Sequence, residues 1–434
     1  MNQAPITIAG AGIGGLSAAL LLARGGQPVR VLEQATVLAE TGAGIQLGPN
    51  AMKVLAQMGL REAVLHTACQ PQSIVVRDAG TGRSITRLLL GEAAQACYGE
   101  TYCTLHRADL QSVLLESVRA NPLIELRLGA ALNAMHQEVQ LEAQQKVQPI
   151  KIQLANDVQL EASALIGADG LHSRVRALLL QDGAPRATGH AAFRSLLPAA
   201  DVPAGVSLNE VSVWWGHGVH VVGYPVRGGA WFNLAILART PMRTPAPAPA
   251  KAPAPTPVLA PALAQKLAQS HSADSWNLSA TPEEAQRALG AACPQLQALV
   301  AAATSWKRWN LFDRPPAPHW SAGAITLLGD AAHPMLPYLA QGAAMALEDA
   351  AALAQCLSNH ADHAQTDHTN IATALSHYEK LRKARTERVV NTARRNGHIF
   401  HMRGPLAVAR NAVLALKGTE VLGLPWLYGY ALAD

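Results

Sequence analysis

The chain has 434 residues, 49% apolar and only 15% charged, which excludes a disordered protein and leaves room for two packed domains or one with large insertions. Its formal charge of +5 is scattered, and the densest basic run, Lys380 to Arg395, alternates with apolar positions as a solvated helix face does. Nucleic acid is therefore not expected as a partner, whereas the general field favours small anions.

The chain opens at once on a strand, PITIA, with no basic and apolar leader ahead of it. No uncharged apolar run reaches about 18 residues, so no membrane span is expected. Residues 5 to 33 read as strand, glycine turn, helix and strand: PITIA, GAGIGG, LSAALLLAR closed by Gly25-Gly26, then PVRVLE. That is a βαβ unit. A GAGIQLGPN loop leads into a helix, NAMKVLAQMG. RADLQSVLLESVRA reads as a helix with Asp109 placed as its N-cap, and SALIGADG as a strand stopping at a turn.

From about 186 to 240 the pattern changes to longer alternating strands, with a hairpin turn at Arg227-Gly228-Gly229. Eight prolines between 241 and 261 then exclude helix and central strand, giving a surface extension. The chain returns to a strand, AITLLGD, and reads as helical to its end apart from a polar loop near 359 to 370. There are no internal repeats. The five cysteines show no paired or ligand-like spacing, so neither disulfides nor a metal are expected and a reducing cytoplasm is the default.

Three turns carry the chemistry. Gly10-x-Gly12-x-x-Gly15, with Gly14 inside it, follows a strand and opens a helix, and Glu33 ends the next strand. Gly10 allows the tight turn, Gly12 admits a pyrophosphate to the backbone, and Gly15 lets helix and strand pack closely. Glu33 is placed to accept from a ribose hydroxyl. This turn alone does not separate NAD from FAD. GADGLHSRVR (167 to 176) and GDAAHP (329 to 334) each put an aspartate just after an apolar strand, at the sheet edge where ligands bind. FAD, with its ribityl chain and second ring system, needs such distant anchors; NAD does not.

With these three turns in this order, the chain resembles the single-component FAD-dependent aromatic hydroxylases of the p-hydroxybenzoate hydroxylase fold, over nearly its whole length outside the proline-rich insert. GAGIQLGPNA, LHRADL, YPVRGG, TLLGDAAHPM and WLYGY are similar to the branch holding salicylate hydroxylase, 3-hydroxybenzoate 6-hydroxylase and 6-hydroxynicotinate 3-monooxygenase. The resemblance implies that Arg107 lies on the FAD diphosphate side, that Asp169 supports FAD binding, and that Gly329 and Asp330 hold the ribityl chain. The helix from Gln341 would point its amide-rich N-terminus at the isoalloxazine, with Gly342 and Ala343 allowing close approach. His333 reads as structural.

The expected architecture is α/β. A Rossmann-like FAD-binding domain comprises 1–70, 104–185 and 310–360. An inserted antiparallel β-sheet substrate domain spans 71–103 and 186–309, with the Pro/Ala-rich insert at 241–262, and a C-terminal helical region runs over 361–434. The resemblance further implies NADH or NADPH as a transient co-substrate, oxygen captured as a C4a-hydroperoxide, and a monomer or homodimer.

Such a reaction needs a dry site and an electron-rich ring, which a phenol becomes when a base takes its proton. In HVVGYPV, His220, Val222 and Tyr224 alternate onto one strand face. From the pattern they are either a base and an orienting group or satisfied residues of a half-buried sheet; in the resembled branch a His and a Tyr at this spacing line the substrate site. Tyr338 is a further wall candidate, with Pro337, and Trp215 a pocket-shaping one. Gly223 stands where relatives often carry His, and Pro337 where 3-hydroxybenzoate 6-hydroxylases carry Gln, which favours a salicylate-like or heteroaromatic acid. The rival readings are a flavin dehydrogenase or oxidase without oxygen insertion and a non-catalytic flavin-binding protein.

Overall fold

Strand Ile6–Ala9 is buried along its whole length and sits inside a six-stranded sheet. The order across that sheet is Ser321–Ala322, Ile325–Leu327, Leu165–Gly167, Ile6–Ala9, Val29–Leu32, Ile124–Arg127. Every neighbouring pair is parallel except the short first one. Parallel strands covered on both faces carry continuous apolar runs, which is why ITIA, VRVL and ITL do not alternate. The computed structural model describes residues 4–38, 43–137, 149–240, 278–361, 368–422 and 424–432; the insert at 241–262 lies outside them.

Helix Ile13–Arg24 is buried from Ile13 to Ala23 on nearly every side. It lies between helix Gly342–Ala361 and helix Arg107–Ala120, so it has no solvent face to make polar. It closes at Gly25, followed by Gly26 in the left-handed region at φ 77°. Asp109 is not the N-cap of helix Arg107–Ala120. The helix starts three residues earlier than that cap would require, with His106 in the cap position and Asp109 in the first turn, facing Arg227 at 3.4 Å. The carboxylate still lies at the positive end of the helix.

The second sheet has eight strands: Leu278–Ala280, Trp306–Asp313, Arg186–Pro198, Trp231–Arg239, Val219–Val226, Val211–Trp215, Ser73–Asp78 and Ser84–Leu89. All pairs are antiparallel except Val211–Trp215 with Ser73–Asp78. The hairpin at Arg227–Gly229 is a 3-10 turn in which Arg227 and Gly228 both take positive φ. Residues alternate between two different environments, because each face meets its own partner. Phe193, Trp214, Val221, Phe232, Leu234 and Ile236 form one apolar core with helices Pro282–Leu289 and Pro294–Ala302. The opposite face carries Ala192, Ala235, Leu237 and Trp309, which pack with Tyr338 and Phe400.

Two smaller sheets complete the molecule: a three-stranded one (Leu132–His136, Ile150–Leu154, Gln159–Ala162), and Gly44–Leu47 paired with Cys103–His106. The long helix His368–Phe400 packs on helix Gly342–Ala361. Among the described residues no helix is long and apolar enough to cross a membrane, no acidic, histidine or cysteine cluster is fit for a metal, and no disulfide joins any of the five cysteines.

Candidate active site

Ala9, Gly167 and Leu327 lie side by side on three adjacent parallel strands, so the three sequence turns leave the sheet at one level. Their backbones touch. A Cβ on Gly10 would strike the carbonyl of Ala168 and come within 2.9 Å of the Asp169 Cα, and φ of +105° at Gly10 itself favours glycine. A Cβ on Gly14 would meet Leu328 at 2.6 Å and Ala346 at 3.2 Å, which joins the first turn to the third and to the helix beyond it. At Gly15 a Cβ would overlap the Gly10 carbonyl, so only glycine lets this helix sit so close to its strand.

Gly12 differs: nothing lies within 4 Å of where its Cβ would be. It is the N-cap of a buried 12-residue helix with no side chain capping it. Free space, unsatisfied amides and a positive helix end are what a pyrophosphate requires. Glu33 stands beside this loop, its carboxylate accepting from Ala11 N and Ala35 N, both at 2.9 Å.

Asp169 accepts from Ser173 Oγ at 2.5 Å, Arg174 N at 2.7 Å and Val175 N at 3.1 Å. Burial lifts its pKa and these bonds oppose that. Its role is to fix the turn that abuts Gly10. Asp330 sits deep in the fold, and the surrounding protein raises its pKa while His333 and Arg107 oppose the rise. Yet its side chain is solvent-open and accepts no hydrogen bond from any described residue. Its open side leaves the carboxylate oxygens as bare acceptors. A carboxylate in such a place calls for hydroxyl donors, which the ribityl chain of FAD would supply. Gly329, at φ 63°, makes the turn. Gly342 and Ala343 open the following helix with only Met335, 4.0 Å away, near the space a Gly342 Cβ would fill. The donor set and the open backbone fit FAD.

Facing this cradle is the inner side of the large sheet. His220 and Tyr224 are almost fully buried there, with Val222 between them. Burial drives the His220 pKa well below its ordinary value and pushes the Tyr224 hydroxyl up to about 12. At neutral pH, therefore, His220 is an uncharged acceptor and Tyr224 a donor. Tyr338 follows Pro337 in a 3-10 turn and packs its ring 5.3 Å from His220. Trp215 stands one place back: it stacks on Phe400 at 4.5 Å, and Phe400 in turn contacts His220.

Gly223 is on the other face. A Cβ there would meet the Phe232 ring at 2.6 Å, inside the core under the helices. A residue at 223 therefore points away from the reacting wall, and Gly223 does not bear on the choice of substrate.

Three wall residues escaped the sequence reading. His190, Ala192 and Arg194 alternate on strand Arg186–Pro198 in register with Arg239, Leu237 and Ala235, and so share the face of His220 and Val222. Arg194 lies over the Trp309 ring at 4.4 Å, and burial lowers its pKa, with Arg107 adding to the fall and Tyr224 opposing it. No described carboxylate pairs with it. His190 bonds the Tyr338 hydroxyl at 2.7 Å, and His401, from the segment after the long helix, bonds His220 at 3.0 Å. The period-2 pattern of HAAFR carried the signal for His190 and Arg194; no local pattern marks His401.

The chain matches the FAD binding domain family over residues 3–393. It is 35% identical over 427 residues to 3-hydroxybenzoate 6-hydroxylase 1 of Aquipseudomonas alcaligenes, covering 98% of this chain and 97% of that one. It is 34% identical to 6-hydroxynicotinate 3-monooxygenase of Pseudomonas fluorescens, covering 90% of each. A solved salicylate hydroxylase substrate complex has the same fold, with a TM-score of 0.77 at 23% identity, covering 99% of this chain and 96% of that chain. The three converging turns, the carboxylate awaiting hydroxyl donors and these likenesses lead to one conclusion: the chain belongs to the FAD-binding domain family and is an FAD-dependent, NAD(P)H-using aromatic-ring monooxygenase.

Proposed function

We propose that the enzyme hydroxylates a small aromatic or heteroaromatic acid already carrying a ring hydroxyl, in the cytoplasm, as a monomer or homodimer, with O2 as co-substrate. The observation that carries this reading is the inner wall: a neutral imidazole, a protonated phenol and an unpaired guanidinium on one dry sheet face opposite the flavin cradle. When bound, FAD supplies the redox chemistry, moving electrons from the nicotinamide to oxygen and one oxygen atom to the ring.

The chain's own residues do the rest. Arg194 holds the substrate carboxylate, since an unpaired buried cation gains most from an anion delivered into low dielectric. Tyr224 donates to the phenolic oxygen, and His220 takes its proton through Nε2, which bonds no described residue. Loss of that proton makes the ring electron-rich. Val222, Ala235, Leu237 and Tyr338 keep water away. Pro337 offers no polar side-chain group, which favours a salicylate-like or heteroaromatic acid over one needing an amide contact there.

The test is a panel of salicylate, 3-hydroxybenzoate and 6-hydroxynicotinate with the FAD-loaded enzyme, following NADH and NADPH oxidation and hydrogen peroxide together. At least one acid should stimulate NAD(P)H oxidation and yield a product whose ring has gained one oxygen atom, with release of CO2 where the carboxyl-bearing carbon is the one attacked. Stimulation with peroxide as the only product, for every acid, defeats the proposal.

A further inference from the structure

Beside the reacting wall, at the end of the same sheet face, lies a cavity of about 450 Å³ lined by His190, Arg239, Tyr338, His398, His401 and Arg403 among others. His220 is not part of its lining, but two of its neighbours are. His220 Nδ1 and His401 Nε2 are 3.0 Å apart, and His190 Nδ1 and the Tyr338 hydroxyl 2.7 Å apart. The rings of His190, His220, Tyr338 and His401 lie with centroids 5.2 to 6.4 Å apart, capped on one side by Phe400. A larger cavity of about 630 Å³, beside Arg24, Lys53 and Tyr430, is remote from this wall.

Resting on the hydroxylase reading above, we infer that His220 and His401 form a proton path that carries the substrate's phenolic proton along the wall to this cavity. The need for it is physical. The wall must be dry for oxygen transfer, so a proton taken up inside it has no direct route to water. An imidazole with one nitrogen toward the substrate and the other on a second imidazole solves this, because proton uptake on one side and release on the other leave no net charge behind.

The step balances as follows. The phenol O–H breaks and His220 Nε2 gains the proton. His220 Nδ1–H gives its proton to His401 Nε2. His401 releases its Nδ1 proton to cavity water when the ring swings outward. Both imidazoles end neutral with exchanged tautomers, and no electrons are transferred. His401 Nδ1 is buried with no hydrogen-bond partner, so no bond at that nitrogen has to break for the swing.

The groups around the path favour neutral rings. Burial lowers the pKa of His220, with His401 and His190 adding to the effect. Burial brings His401 to about 4, with His190, Arg239, Arg403 and Arg410 adding their positive field. His190 is lowered by burial, then by Arg239 and His398. The guanidinium groups rimming the cavity repel a retained proton, which drives it outward. His190 and Tyr338 hold the far side of the path in register. His401 thus acts through His220 as a positioning and relay residue.

The experiment compares FAD-loaded wild type, His401→Gln and His401→Ala with whichever of the three panel acids the wild type hydroxylates. KM and bound FAD should stay within about twofold, while kcat falls about 10- to 100-fold and its solvent deuterium isotope effect grows. Millimolar imidazole, small enough for the cavity, should restore part of the His401→Ala loss. Unchanged kcat and isotope effect in His401→Gln overturn the path, as does a loss in His401→Ala that imidazole leaves untouched. If His401→Ala loses its flavin, the glutamine variant decides. No turnover of any acid by the wild type instead removes the hydroxylase reading itself, so the two failures are told apart.

Discussion

Asp330 shows how a single residue can be read from its unmet needs. The sequence already singled it out, because Gly-Asp after an apolar strand stops the sheet and sends a carboxylate from its carboxyl edge. The geometry adds that the carboxylate sits deep, open on one side and without a donor. Asp330→Ala should therefore fold, since no internal bond is lost, yet bind FAD about 10- to 100-fold more weakly, as expected for losing charged hydrogen bonds. Flavin absorbance per protein after gel filtration reads this directly; a fully yellow variant removes Asp330 from the ribityl site. Glycines told a similar story at residue scale: Gly12 leaves open the space a pyrophosphate would need, whereas Gly10 and Gly15 are glycine because the backbone is already there. Sequence pattern could name all three but not divide them this way, since only the packed strands reveal which space is occupied. Gly223 erred for the same reason, as its strand parity was legible but its relevance depended on which face met the flavin.

At the scale of elements, helix Gly342–Ala361 is held by charges as well as by alanines. Asp349 accepts from Gly329 N at 3.1 Å, His333 Nε2 at 2.5 Å and Arg382 Nε at 2.7 Å. Its neighbour Glu348 takes Asn50 at 2.7 Å, and both Arg382 and Arg385. This buried network joins the third turn, the helix beside the flavin and the long helix His368–Phe400. The structural reading of His333 acquires a cause here: it braces Asp349 rather than touching substrate. Asp349→Ala should cost about 3 to 5 kcal/mol, because Arg382 is left buried and short of a partner. Thermal melts of the apo and FAD-loaded variant test this; a wild-type Tm would refute the brace. The helix itself was legible from its periodicity, but the network was not, since its members come from residues 50, 329–349 and 382–385 and share no local pattern. His401 was hidden likewise, reaching the wall only because the long helix returns the chain to it.

For the molecule as a whole, ionisation predicts how acid undoes it. His401 titrates near 4 in the folded chain, against about 6.5 for a free imidazole, so unfolded molecules bind its proton first and stability falls as pH drops through that interval. His220 is shifted the same way by burial. Asp349 is held down to about 2 by His333 and Arg382, against burial, so its contribution is full above about 4 and disappears as pH falls toward 2. A stability profile by denaturant titration should decline in two stages, the first weakened in a His401→Gln variant and carried there by His220 and His190. A single loss confined below pH 4 would contradict the histidine assignments. The α/β reading, the antiparallel sheet and the turn order were legible because each rests on short-range pattern, whereas the wall's polar members are assembled from four distant strands and helices. The parallel sheet places residues 6–9 between partners at 29–32 and 165–167, with 325–327 beyond. A ribosome must therefore make more than three-quarters of the polypeptide before the cradle has its third side. Coenzyme capture is thus a late event in the life of each new chain, and a nascent chain stalled before that point should emerge colourless however well its first βαβ unit has formed.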